Sequence, residues 1–375
     1  MITTILTLAV ALLSLIALMI IHEFGHFIIA KKFGVRVEEF GVGYPPRLFG
    51  KKIGETIYSV NLIPLGAFVR IYGEEGGLDD YRSFSTLKIW KRVLIVIGGV
   101  VAFWLASIVL FSIVFAIGAD VPVADEASGL ENVAVKVFLV AADSPADTAG
   151  LKAGDTIVSI KADGSEAKID KIGDFQKITN DNKGKEVILT IKRQDQILDI
   201  PLTPRISPPG NEGPVGVALE RMATIAEKYP WYQAPIQGTI YTGKITVDAL
   251  RGLYDVFGNL FSGNGLPKGA EFAGPLGITV FLALAVNGGL GFSLYFIGAI
   301  SVFIAIFNLF PIPALDGGKL IFLLIEKIQK KPVPVKVEQG ITIAFFALLI
   351  TLSIFITIKF DIPRFTDFLK SSLSR

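Results

Sequence analysis

Four long runs almost free of charged side chains organise the chain, at residues 2–30, 93–117, 290–310 and 341–358. At about 1.5 Å of rise per residue the first amounts to roughly 40 Å of helix, more than a hydrocarbon core of roughly 30 Å. The pattern predicts four transmembrane helices. The first is expected to be retained, because Met1-Ile2-Thr3-Thr4 carries no basic side chain and the run outlasts the roughly 7–15 apolar residues of a signal peptide. Ahead of the third run, a shorter apolar segment opens at Gly274-Pro275-Leu276-Gly277 and breaks at Asn287-Gly288-Gly289.

Charge orients these spans. Lys and Arg crowd the loop from Lys31 to Arg92 and recur at Lys327, Lys330, Lys331 and Lys336, which puts both loops on the cytoplasmic side. Both termini and the long segment between the second and third runs then face outward, and 1–124 and 271–375 form the two halves of a membrane domain. Within the first loop, residues 52–72 read as two β-rich runs around Pro64 and Gly66. This hairpin is either a small soluble one or a re-entrant one that offers its edge to an extended chain.

Composition agrees with a membrane protein. Hydrophobic residues make up 51% of the chain, whereas soluble chains reach about 45–50% only when Gly is counted. A net charge of +2 gives no basis for nucleic-acid binding, so the expected environment is the lipid bilayer. With zero cysteines, disulfides, thiolate metal ligands and Cys nucleophiles are all excluded.

The outward segment changes character. Residues 133–140, 156–160 and 187–193 alternate like strands, and Asp120 to Asn132 is an acidic connector before them. Ser144-Pro145-Ala146, then Ala149-Gly150-Leu151-Lys152-Ala153-Gly154-Asp155 and Ile157-Val158-Ser159-Ile160, resemble the PDZ domain of bacterial membrane-associated proteases. That resemblance implies one inserted α+β domain over 131–205, a small β-sandwich that captures extended chains or C-termini by strand addition. Residues 206–270 read as a linker, Pro/Gly-rich at 207–214 with a further strand at 215–219, and then an amphipathic helix over 231–261. Its apolar face, including Tyr241, Ile245 and Leu253, lies on the outer membrane surface or packs against the β-domain.

Chemistry concentrates in the first run. His22-Glu23-Phe24-Gly25-His26 contains the only two histidines of the chain, one helical turn apart and so on one face. Their imidazoles can share one zinc ion, and Glu23 can serve as general base toward the attacking water. Ionisable groups inside an apolar span are costly enough to imply a role. Phe24 lies about 10 Å of helix rise inside the Lys31 end, so the site sits in the membrane near its cytoplasmic face. A catalytic zinc takes three protein ligands, and without a third His or a Cys the third is a carboxylate. Asp316 is the candidate, at matching depth beyond the third span. Pro311 and Pro313 interrupt the helix there, and Gly317 and Gly318 give the turn room. Taken alone, Leu315-Asp316-Gly317-Gly318 is also an ordinary helix-ending turn.

His-Glu-Phe-Gly-His in the first span, one PDZ-like insert and Asn308-Leu309-Phe310-Pro311-Ile312-Pro313-Ala314-Leu315-Asp316-Gly317-Gly318 together resemble the site-2 protease family, in particular bacterial intramembrane metalloproteases that cleave anti-sigma factors. The resemblance implies that His22, His26 and Asp316 bind zinc, that Glu23 activates the water, and that Asn308 positions the substrate. It also favours the re-entrant hairpin, where a strand added near Asn61 and Leu62 would unwind a substrate helix and hold it extended. The implied function is zinc-dependent hydrolysis within the transmembrane segment of single-span substrates, such as anti-sigma factors or signal-peptide remnants, in the bacterial inner membrane, with the PDZ domain as filter. One departure is that the family's second span often carries Gly-x-x-x-Asn, whereas Gly99 is followed by Phe103. A second is that close relatives can carry two PDZ modules. Two rival classes are a silent scaffold acting through its PDZ-like module, against which Glu23 argues, and a metal transporter, which lacks a second set of intramembrane ligands.

Overall fold

The computed structural model describes residues 2–74, 80–123, 125, 131–141, 143–193, 196–209, 212–224, 229–263 and 272–373. Parts of the expected connector (124, 126–130) and of the expected linker (210–211, 225–228, 264–271) lie outside them. The chain begins with α1 (Ile2–Lys32), β1 (Val37–Ile53), β2 (Thr56–Ile71) and α2 (Ile89–Ile117). It continues through β3 (Asp120–Pro122), β4 (Glu131–Val140), α3 (Pro145–Thr148), β5 (Thr156–Ala162), β6 (Ser165–Lys168), α4 (Ile172–Asp181), β7 (Val187–Arg193), β8 (Gln196–Leu202) and β9 (Val217–Thr224). Then follow α5 (Ala234–Phe261), α6 (Pro275–Asn287), α7 (Leu290–Asn308), α8 (Asp316–Gln329), α9 (Val335–Ile356) and α10 (Ile362–Leu373). Among the described residues four helical runs are long and apolar enough to cross a membrane: α1, α2, α7 and the run that begins with α9.

α2 is the central helix. It meets α1 glycine to glycine, since a Cβ on Gly25 would lie 2.7 Å from the Gly98 carbonyl carbon and 2.8 Å from Ala102 Cβ. Without a hydrophobic driving force between helices in lipid, such close backbone approach carries the packing. Toward α7, Ser301 Oγ donates to the Phe103 carbonyl at 2.8 Å and Gly298 lies against Phe111.

β1 and β2 differ from the expected hairpin. Residues 56–63 and 67–71 of β2 do not pair with each other across Pro64 and Gly66. Residues 37–42 of β1 lie between them, with Phe40 opposite both Val69 and Tyr58 and Val42 opposite both Ala67 and Val60. The far half of β1 then closes over the first run, Phe49 opposite Val60 and Lys52 opposite Ile57. The 37–53 segment went unread as strand because Gly41, Gly43, Pro45 and Pro46 interrupt its alternation. Phe27 of α1 packs edge-on to Phe40 and Tyr58, which docks the sheet against the helix that carries the histidines.

The outward segment forms a sheet with strand order β3-β9-β4-β5-β7-β8, and β6 pairs with β5. Its core is aliphatic, with Val137, Ile157, Leu189 and Ile191 each at most 1% exposed around Phe175. Asp155, also buried, is paired with Arg193 at 2.7 Å. The unit extends past the expected 131–205, because β9 is an interior strand and β3 from the connector lies on its outer side. Asp125, just after β3, accepts from the Ile172 and Gly173 N–H groups at the start of α4.

The amphipathic helix packs mainly against membrane helices, and its first half shares a cluster with Phe138 and Met222 of the β-domain. α5 lies lengthwise against α2 and α7, with Gly238 against Ile108 and Ser112, Thr242 Oγ1 3.4 Å from Ser107 Oγ, and Ala249 against Val302 and Ile306. Small residues spaced along one face make that groove-filling contact possible. α8 was not foreseen as a helix. It buries Phe322 and Leu323 and is pinned to α2 by the Arg92–Glu326 ion pair.

Candidate metal centre

The helix pitch brings His22 and His26 together on α1, and the Nε2 atoms stand 3.2 Å apart. The third donor comes from the other end of the chain. α7 stops at Asn308, the chain turns through Pro311 and Pro313, and Asp316 opens α8. Side chains on Gly317 or Gly318 would collide with the carbonyls of Leu309, Phe310 and Ile312, so this tuck requires glycine. Asp316 Oδ2 thereby comes to 3.5 Å from the Nε2 of both histidines. The expectation of an Asp ending a helix is corrected: it begins one, where a carboxylate complements the helix dipole.

Three observations fit a metal ion to these donors. The histidines are 5% and 8% exposed, so the group is sheltered from bulk water. Asp316 Oδ2 is buried without a hydrogen-bond partner. His26 Nδ1 lies 2.9 Å from the Ile95 carbonyl, which assigns the proton to Nδ1 and leaves the Nε2 lone pair for a metal. Edges of 3.2, 3.5 and 3.5 Å match the ligand–ligand separation of about 3.3–3.4 Å that tetrahedral bonds near 2.0–2.1 Å require. Among the described residues this is the one group of three or more such donors, all within 4.8 Å of one another.

α2 shapes the cavity around the imidazoles. A Cβ on Gly99 would sit 2.6 Å from Cε1 of both histidines and closer still to His26 Nε2. The Phe103 ring stacks on His22 with centroids 4.6 Å apart and planes at 20°. Gly99 enters the sequence reading through its spacing to Phe103, and its service to the imidazoles has no local signal. Phe103 and the Ile95 carbonyl went unread, because nothing local in the sequence says which face of α2 meets α1.

Glu23 is turned about 100° from His22 around the helix. Its carboxylate faces the Val69 N–H on the 67–71 run of β2. At the C-terminal end of α1, Glu55 accepts from Lys31 Nζ at 2.5 Å and from Arg82 at 2.7 Å, which holds its carboxyl below the usual range and ties the β1–β2 turn to α1.

The expected substrate-positioning residues are dispersed. Asn308, in the last turn of α7, donates its amide to Ile304 O at 3.0 Å. Pro311 is exposed, and the Pro313 carbonyl accepts from Thr342 of α9 at 3.2 Å. Asn61 is corrected as a strand-addition point. It is buried, donates to the Gly43 carbonyl at 3.1 Å, and belongs to a run flanked by β1 on both sides. Leu62, 54% exposed at the end of that run, has no open strand beside it to extend. The open edge is that of 67–71, which has β1 on one side only among the described residues.

Two imidazoles on an apolar helix, a carboxylate delivered by the turn after another, and a glutamate beside them define a metal-dependent hydrolase within a polytopic membrane fold. The profile of peptidase family M50 matches residues 10–352. A protein of Clostridium perfringens carrying the name zinc metalloprotease is 33% identical over 349 residues, 93% of this chain and 96% of that one. Proteins so named from Nostoc and Rhizobium meliloti are each 30% identical, each over 93% of this chain and 94% of their own length. The chain belongs to peptidase family M50, the site-2 protease family, and is a zinc-dependent protease and a multi-pass membrane protein.

Proposed function

We propose that this protease hydrolyses a peptide bond within the transmembrane segment of single-span proteins, such as anti-sigma factors or signal-peptide remnants. The observation that carries the reading is the convergence, at 3.2 and 3.5 Å, of His22 Nε2 and His26 Nε2 on the span-like helix α1 with Asp316 Oδ2, which follows the end of the span-like helix α7.

His22, His26 and Asp316 hold the zinc ion, which when bound polarises the scissile carbonyl and makes water a stronger acid. Glu23, beside the 67–71 run of β2, takes the proton of the attacking water on a carboxylate oxygen and delivers it to the leaving amine. β1 and β2 act as a re-entrant sheet. A helical substrate hides its carbonyls in its own hydrogen bonds, and pairing it with the open 67–71 edge would expose them beside Glu23. Asn308, Pro311 and Pro313 shape the end of α7 and the turn that delivers Asp316 to the site. Counting four residues on from Gly99, Phe103 stands where the family's Gly-x-x-x-Asn pattern carries its polar residue.

The sheet from β3 to β9 serves as a PDZ-type filter on the extracytoplasmic side of a bacterial inner membrane, with both termini on that side and the zinc site near the cytoplasmic face. Its recognition edge is β9 beside α4, where β3 covers residues 222–224 and leaves 217–220 for an extended chain or C-terminus. Removal of the whole sheet unit, 120–224, should then permit cleavage of substrates with untrimmed outer domains.

The test is incubation of the purified protein with an outwardly truncated single-span substrate, with products located by mass spectrometry. Products ending within the span from wild type, and none from Glu23→Gln, are expected. Cleavage only in the flanking loops, or equal cleavage by Glu23→Gln, would refute the proposal.

A further inference from the structure

The two histidines of the centre are held in different ways. His26 has the usual brace, its Nδ1 against the Ile95 carbonyl at 2.9 Å. Among the described residues His22 Nδ1 makes no hydrogen bond of normal geometry, and its ring has only a looser contact with the Gly99 backbone beside it. Metal-binding imidazoles almost always donate that second N–H, because the bond fixes both tautomer and ring plane. Something else must fix the plane of His22.

We propose that Phe103 is the positioning residue for His22, its ring face setting the imidazole plane in place of a hydrogen bond. The two rings overlap with centroids 4.6 Å apart and planes only 20° from parallel. Phe103 is wholly buried and cannot swing away. Its backbone is fixed in turn, because its carbonyl accepts from Ser301 Oγ of α7 at 2.8 Å. On the other side His26 stands edge-on to His22, with ring centroids 4.6 Å apart and planes at 85°. His22 is thus clamped between one ring face and one ring edge, leaving the direction of its Nε2 as the only one toward Asp316. The clamp needs Gly99 one turn earlier on α2, whose missing side chain admits both imidazoles. A ring at position 103 is therefore a functional replacement for a polar brace and not a lost group.

This inference rests on His22 being a zinc ligand, and the two can fail separately. The measurement is the rate at which the purified, detergent-solubilised protein gives up zinc to an excess of chelator, together with the visible absorption of its cobalt-substituted form. Wild type, Phe103→Tyr, Phe103→Leu, Phe103→Met and Ser301→Ala are compared. Loss of an outer-shell partner typically costs about 10–100-fold in metal affinity. Phe103→Leu and Phe103→Met, which fill the space without a ring, are expected to release zinc at least about tenfold faster and to broaden the cobalt bands. Phe103→Tyr, which restores the ring, should behave as wild type, and Ser301→Ala should fall between. If a folded Leu or Met variant holds zinc as tightly as Phe103→Tyr and shows its cobalt spectrum, the proposal is overturned. Should neither of those two fold, parental release and spectrum from Ser301→Ala would overturn it. Full zinc retention by His22→Ala would instead overturn the ligand assignment beneath it.

Discussion

Gly99 has no side chain to contribute, yet the centre depends on it. Any Cβ there would overlap His26 Nε2 and crowd His22, and both atoms sit on helices whose backbones are already in contact at Gly25 and Gly98. The imidazoles would have to leave the donor triangle to accommodate it. Gly99→Ala is therefore expected to lose zinc and at least about 10²-fold in activity, with the helices still folded; metal analysis and circular dichroism check this. Glu23→Gln should behave oppositely, keeping zinc and losing about 10²–10⁴-fold in turnover as a missing general base does. At this scale the donors were legible in the sequence. Two histidines at helical spacing announce themselves, and the Pro-x-Pro…Asp-Gly-Gly turn supplies the missing carboxylate. Phe103 was not, since aromatic residues in apolar spans carry no local mark of what they touch.

Between residue and molecule, elements were read unevenly, and the reason is pairing. Apolar length alone locates α1, α2, α7 and α9. It does not tell which strand lies beside which, and so 37–42 slipped between the two runs that flank Pro64. The sequence reads β9 as a linker strand, although it is interior to its sheet, because its partners in β4 lie across the whole intervening stretch 141–216. α8 was overlooked because its charged face reads as a basic loop. The β-domain also contains a testable element-scale joint. Asp155, 1% exposed, accepts two bonds from Arg193 at 2.7 Å and one from the Lys152 N–H at 2.8 Å. Asp155→Ala leaves the Arg and the turn unsatisfied, and should cost the domain about 3 kcal/mol, read from chemical denaturation followed in its sheet signal.

Across the whole molecule, the β-domain rests on the membrane helices. Phe138 and Met222 join Phe111, Phe115, Phe292 and Tyr295 in one cluster, and beside them opens a cleft lined by Lys136, Glu220, Leu284 and Asn287. Burial in that cleft pushes the Glu220 carboxyl from 4.5 up to about 7. A raised folded pKa means that the folded state binds the extra proton. Stability from Glu220 is thus full below about pH 4.5 and declines as pH rises through about 7. Thermal unfolding of the full chain should shift downward between pH 5 and 8 by this route, and Glu220→Gln should flatten that dependence; an unaltered slope would contradict the placement of Glu220.

We propose above all that residues from opposite ends of the chain complete one zinc site inside a membrane fold. Zinc per chain, measured by elemental analysis of purified wild type and Asp316→Asn, tests it most directly. About one zinc in wild type and a large loss in Asp316→Asn, with both proteins folded, is the predicted result. Full zinc in Asp316→Asn would contradict it, because the histidines of α1 would then hold the metal without the α7–α8 turn.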